Sequence, residues 1–126
     1  MKDQGFKVFS QVPLKTRRVD LVCIPQSGRK ITAIELKVKD WKRAFEQALG
    51  CTLFADRVYV ALAQQYAHRV QNQVLDEYGI GLLGVDHFVE IIRPARANHR
   101  IQPSLRQYLR MNLRKSRIGT WTYENT

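Results

Sequence analysis

Cysteine, acidic residues and long apolar runs are all scarce in this chain, and each shortage narrows what it can be. The two cysteines, Cys23 and Cys51, have the spacing of neither a metal knuckle nor a redox pair, so both read as small apolar residues of a reducing compartment. No apolar run approaches the ~20 residues needed to cross a bilayer. The opening Met1-Lys2-Asp3-Gln4-Gly5 has no signal-peptide character, so a cytoplasmic protein with no membrane partner is expected. No serine or cysteine stands in a nucleophile motif, and no glycine-rich loop offers a phosphate cradle. His68, His87 and His99 have no ligand spacing among them. There is no internal repeat and no low-complexity segment.

Acidic residues number 11 against 21 Lys and Arg, a formal charge of +10. The excess is uneven. Residues 93–126 carry eight cations (Arg93, Arg96, Arg100, Arg106, Arg110, Arg114, Lys115, Arg117) against Glu124 alone, while residues 1–92 carry thirteen against ten. A basic tail on a nearly balanced body points to a polyanion partner, because neutralising phosphates releases counterions. The plainer alternative is a solvated positive surface that aids solubility.

What is present argues for one folded domain of 126 residues: 44% hydrophobic residues, five Phe, five Tyr and two Trp. Phe6 to Leu14 has strand composition, with Pro13 at an end or edge, and Lys15-Thr16-Arg17 reads as a polar link. Two Val- and Ile-rich runs, Arg18 to Pro25 and Lys30 to Val38, then flank Ser27-Gly28, where Gly suits a two-residue hairpin turn with positive φ. That turn sets Gln26 against Arg29, Ile24 against Ile31, Val22 against Ala33, Asp20 against Glu35 and Arg18 against Lys37. Opposed Cβ atoms lie ~5 Å apart, and like charges so placed destabilise. A divalent cation between Asp20 and Glu35 would turn repulsion into ligation, since magnesium takes one or two carboxylates. Alternation of Val19, Leu21 and Cys23 with Arg18, Asp20 and Val22 predicts one core face and one charged face.

Asp40 is placed to cap a helix over Trp41 to Ala55, whose Trp41, Phe45, Ala48, Leu49 and Thr52 recur at helical spacing. Arg43 and Gln47 are neighbours on another flank. Arg57 to Ala63 reads as a buried parallel strand after a crossover. A second helix is predicted over Gln64 to Tyr78 with Gly79 as its stop, then a strand pair around Asp86-His87. From Pro103 a last helix follows, with Leu105, Leu109 and Leu113 in one stripe and Arg106, Arg110 and Arg114 beside it. The leucines imply packing. The arginines suit DNA, an acidic membrane surface or a second subunit. Trp121 and Tyr123 suit a terminal segment packing on its own domain better than base stacking. The expected fold is α/β, a single mixed sheet flanked by helices, with a core over about 6–92 and a basic extension over about 93–126.

Asp20, then Glu35-Leu36-Lys37 ending a strand, then a Gln47-bearing helix and a buried strand, resembles the PD-(D/E)XK nuclease superfamily over roughly residues 6–63. That superfamily holds Holliday-junction resolvases, restriction endonucleases and RecB-type nucleases. The resemblance implies a restriction-endonuclease-like core with a basic C-terminal helix, and a metal-dependent deoxyribonuclease activity. It implies that Asp20 and Glu35 ligate Mg2+ or Mn2+ with the Leu36 carbonyl, that Lys37 assists the attacking water, and that Gln47 supports the site. Arg18, Lys39, Lys42, Arg43, Arg106, Arg110 and Arg114 would contact nucleic acid, with double-stranded or branched DNA preferred over RNA and a homodimer admitted. Val19 stands where the family's motif has proline. Five residues before Phe6 are too few for the family's opening helix, so the expectation is a reduced or truncated version, or a site completed by a neighbouring subunit. Two alternatives stand beside the nuclease. One is an inactive nucleic-acid-binding module of the same fold. The other is a structural patch in which Lys37 pairs with Asp20 and Arg18 with Glu35.

Overall fold

Three successive strand-forming runs pair as an antiparallel meander: β1 (Gln4–Leu14), β2 (Arg17–Pro25) and β3 (Thr32–Leu36). The computed structural model describes residues 4–15, 17–26, 28–70, 72–113 and 117–123, with the backbone alone for residues 4, 72 and 117–123. Helix α1 (Trp41–Cys51) crosses over to β4 (Arg57–Ala63), which runs parallel to β3 as a crossover requires. Two short helices, α2 (Gln64–Ala67) and α3 (Asn72–Tyr78), lead to β5 (Gly81–Val85), parallel to β4, and β6 (Val89–Arg93) returns antiparallel. Helix α4 (Pro103–Asn112) precedes β7 (Arg117–Tyr123), which pairs antiparallel with β1. Among the described residues the result is an α/β fold around one mixed seven-stranded sheet, in the order β6-β5-β4-β3-β2-β1-β7. No helix among the described residues is long and apolar enough to cross a membrane.

The helices do not flank the sheet; they gather on one face. Phe9, Val22, Ala33, Val58, Val60 and Leu82 join Ala44 and Ala48 of α1, Leu75 of α3 and Leu109 of α4 in one buried cluster. Residues of the opposite parity, among them Phe6, Leu21, Ile34, Tyr59, Leu83 and Ile91, line an open groove of about 580 Å³ on the other face. The expected core face of β2 is therefore corrected: Val22 is buried, and Leu21 and Cys23 turn to the groove.

The reason lies at one ladder position. Gln11 has φ 53°, a left-handed conformation uncommon outside glycine, and the Gln11–Asp20 pair is missing from an otherwise continuous β1–β2 register. The interruption lets Phe9 and Val12, three apart, both be buried, and likewise Val19 and Val22. Asp20 is left in the gap.

Other boundaries follow local chemistry. The Asp40 carboxylate accepts from the Arg43 N–H at 3.2 Å, the expected N-cap of α1. The helix stops at Cys51, four residues early, and continues as a turn to Phe54. The predicted single helix after β4 is two. Arg69 and Val70 donate three residues back, to Tyr66 and Ala67, and this tighter turn buries Val70 before α3 begins. Gly79, at φ 69°, ends α3: its N–H meets the Asp76 carbonyl and that of Ile80 the Leu75 carbonyl, a Schellman stop.

The hairpin keeps the expected register (Val22 opposite Ala33), but its ladder ends at Cys23–Thr32, well short of the turn. Pro25 has no N–H to give, and Ile31 is captured instead by Asp56, whose carboxylate and N–H both bond its backbone. Ser27 lies outside the described residues.

Candidate active site

Glu35 is the fourth residue of β3, on the same face as Ala33, so its side chain enters the helix-bearing side beneath α1. It is fully buried, an unusual place for a carboxylate. The expected charged face is therefore not a solvated one. Asp20, half-buried, belongs to the adjacent strand one step beyond the Leu21–Ile34 pair, and its Oδ2 accepts from the Leu36 N–H at 2.8 Å.

One oxygen of Glu35 is well supplied. Oε1 accepts from Arg17 Nη1 at 2.9 Å and from the Cys51 thiol at 3.5 Å. Arg17 Nη2 reaches on to the Gln47 carbonyl at 2.8 Å and to Cys51 Sγ at 3.4 Å. The last turn of α1 has no basic residue of its own, so Arg17 brings a cation to the negative end of that helix. The other oxygen, Oε2, is buried and has no hydrogen-bond partner.

Burial pushes Glu35 above the usual carboxylate range. The Arg17 hydrogen bond and charge pull it back in part, and the neighbouring Asp20 carboxyl raises it further. Part of that effect is a carboxyl–carboxyl hydrogen bond, which exists only while one of the two acids carries a proton; with both ionised neither offers a donor, and Oε2 is an unmet acceptor. The Cys51 thiol is pushed up to about 12, first by burial and then by the Glu35 charge, and stays protonated.

Among the described residues no group of three or more His, Cys, Asp or Glu is placed to hold a metal. The available donor set is thus two carboxylates with one orphaned buried oxygen. It fits magnesium or manganese, which keep several waters and need only one or two carboxylates. It does not fit a structural zinc.

Lys37 follows β3, half-buried, and its N–H donates to the Ala61 carbonyl at 3.1 Å. Its side chain makes no ion pair with Asp20 or Glu35. With Leu36 and Val38 it lines a shallow cleft of about 340 Å³ at the carboxyl ends of β3, β4 and β5, together with Ala63 and Val85. Leu36 is itself exposed. The proposed structural patch is corrected: the partner of Glu35 is Arg17, while Arg18 is exposed and donates to the Gln11 carbonyl at 3.3 Å. Gln47 is half-buried and reaches the cluster through its backbone carbonyl.

Lys39, Lys42 and Arg43 are exposed where β3 passes into α1. Arg106 and Arg110 lie elsewhere. Arg106 grips both oxygens of Asp56, at 3.1 and 2.9 Å, and both arginines donate to the Arg29 carbonyl. Asp56, just before β4, stands level with Ile31, four residues or about 13 Å along the strand from Glu35, and Arg29 lies two residues further back. Arg114 lies outside the described residues.

The fold has a counterpart among solved structures. The SPO1766 protein of unknown function from Silicibacter pomeroyi superposes with a TM-score of 0.65 over 86% of this chain and 71% of its own, at 22% identity. At that identity the likeness is one of fold alone. No family model matches the chain, and neither does any curated protein.

Arg17 and Cys51 are the site residues that sequence reasoning missed. Arg17 looked like part of a polar link, yet it is two residues before the buried Val19 and the first residue of β2. Strand alternation from Val19 would have sent it inward. Cys51 carried a signal as well, as the next small residue at helical spacing after Ala44 and Ala48.

Proposed function

We propose that this protein is a metal-dependent nuclease that hydrolyses phosphodiester bonds in DNA on a restriction-endonuclease-like core. The observation that carries this reading is the orphaned, fully buried Glu35 Oε2 beside Asp20. A buried acceptor without a donor costs ~1–3 kcal/mol, a cost that a bound cation removes. Asp20, Glu35 Oε2 and the Leu36 carbonyl would hold Mg2+ or Mn2+, which supplies a water of lowered pKa and stabilises charge on the phosphorane-like transition state.

The chain's own residues do the rest. Lys37, unpaired with either acid and lining the cleft at the end of β3, offsets phosphate charge and orients the attacking water. Gln47 would support the site through its backbone carbonyl, which accepts from Arg17 Nη2. Lys39, Lys42 and Arg43 line the approach and Arg18 lies exposed nearby, where phosphates of a double-stranded or branched DNA would neutralise them. Because Arg106 is committed to Asp56 and Arg110 to Arg29, any contact they make with the DNA is distant from the cut.

A plasmid-cleavage assay with Mg2+ or Mn2+ tests this. Cleavage should require the ion and fall at least 100-fold in Glu35→Gln and Lys37→Ala, while both variants still shift DNA in a gel. A protein that binds DNA equally with and without metal and never cuts it is instead the inactive binding module.

A further inference from the structure

We propose that Arg17 is a positioning residue for the metal site: it pins Glu35 by one oxygen so that the other alone is presented beside Asp20. This inference rests on the nuclease reading above and adds to it a residue that reaches neither metal nor substrate.

The geometry comes from the whole fork of the guanidinium. Nη1 holds Glu35 Oε1 at 2.9 Å, and Nη2 holds the Gln47 carbonyl at 2.8 Å and touches Cys51 Sγ at 3.4 Å. One planar group thereby ties the ligand strand β3 to helix α1. The Glu35 carboxylate has two in-plane oxygens, and with Oε1 fixed from the helix side its rotation is arrested. Oε2 is then the oxygen left without a partner. A metal on Oε2 and an arginine on Oε1 do not compete for lone pairs, so the contact persists when the ion binds. Such outer partners typically govern metal affinity by 10–100-fold. Lysine is a poor substitute, since a single ammonium has no rigid fork to hold the carboxylate and the helix carbonyl in one plane.

The test is calorimetric titration of Mn2+ into wild type, Asp20→Asn, Arg17→Met and Arg17→Lys, with circular dichroism and thermal melts run alongside. Wild type should bind and Asp20→Asn should not. Arg17→Met, folded, should bind at least 10-fold more weakly, and Arg17→Lys should fall between it and wild type. A purely structural arginine would lower the melting temperature and leave the Mn2+ affinity of the folded variants at the wild-type value, which overturns the proposal. If Arg17→Met does not fold, Arg17→Lys and the wild-type guanidinium NMR spectrum decide. In Mg2+-saturated wild type the Arg17 Nη signals should remain separate and slowly rotating. A single averaged signal on adding Mg2+ means that the contact breaks on binding and overturns the proposal. Failure of the nuclease reading looks different: wild type then binds Mn2+ no better than Asp20→Asn, whatever the Arg17 variants do.

Discussion

Burial and charge oppose one another at Glu35. The side chain sits in the helix-covered interior with Arg17 on one oxygen and nothing on the other, and its pKa is raised chiefly because burial disfavours the ionised form. The folded protein therefore binds that proton more tightly than the unfolded chain does. The stability this provides is fully present below the unfolded value and is lost as pH rises through the raised one. Glutamine mimics the protonated acid. Without metal, Glu35→Gln should be the more stable protein at pH 7.5, on the order of 1 kcal/mol, the cost of an unmet buried acceptor. The difference should shrink as pH falls into the ordinary carboxylate range. Urea unfolding of both proteins at several pH values checks this. A variant several kcal/mol weaker than wild type at pH 7.5 would mean that the Arg17 pair outweighs the burial. The pairing was legible only once β2 is taken to begin at Arg17 and not at Arg18, since alternation from the buried Val19 turns Arg17 inward and Arg18 outward.

Among the elements, α1 does most to place the site. It covers Glu35, supplies Cys51, and offers the Gln47 carbonyl to Arg17. Its start is fixed by Asp40, whose carboxylate bonds the Arg43 N–H. Asp40→Ala should cost ~1 kcal/mol in thermal or urea unfolding, as loss of an N-cap commonly does. A cost near zero would show the helix start to be held by packing alone. That cap, the apolar run of β4 and the Gly79 stop were legible because each is set by a few adjacent residues. The split between α2 and α3 was not, because Ala67, Val70 and Val74 keep a helical spacing straight through the break. Nor was the exchange of faces in β2, which arises from the conformation of Gln11 on another strand. The edge strand β7 escaped notice because its pairing with β1 joins opposite ends of the chain.

Taken whole, the molecule divides its charge by use. Part of the basic tail is structural: Arg93 and Arg96 engage Asp76, and Arg106 engages Asp56. Exposed cations remain around the start of α1, at Lys39, Lys42 and Arg43. One sheet face is covered by helices and the other is an apolar groove, and Glu35 of the acid pair is buried on the helix-covered face. It lies at the end of β3, near the cleft lined by Lys37. The register set by the β2–β3 hairpin made the juxtaposition of Asp20 and Glu35 legible in the sequence. Its burial was not, since that depends on which face the helices choose. Anomalous diffraction from crystals grown with Mn2+ tests the central claim most directly. The expected result is a peak about 2.1 Å from Glu35 Oε2 that also contacts the Asp20 carboxylate. Density showing the two carboxylates free of any ion, with a manganese peak elsewhere or none, would contradict it.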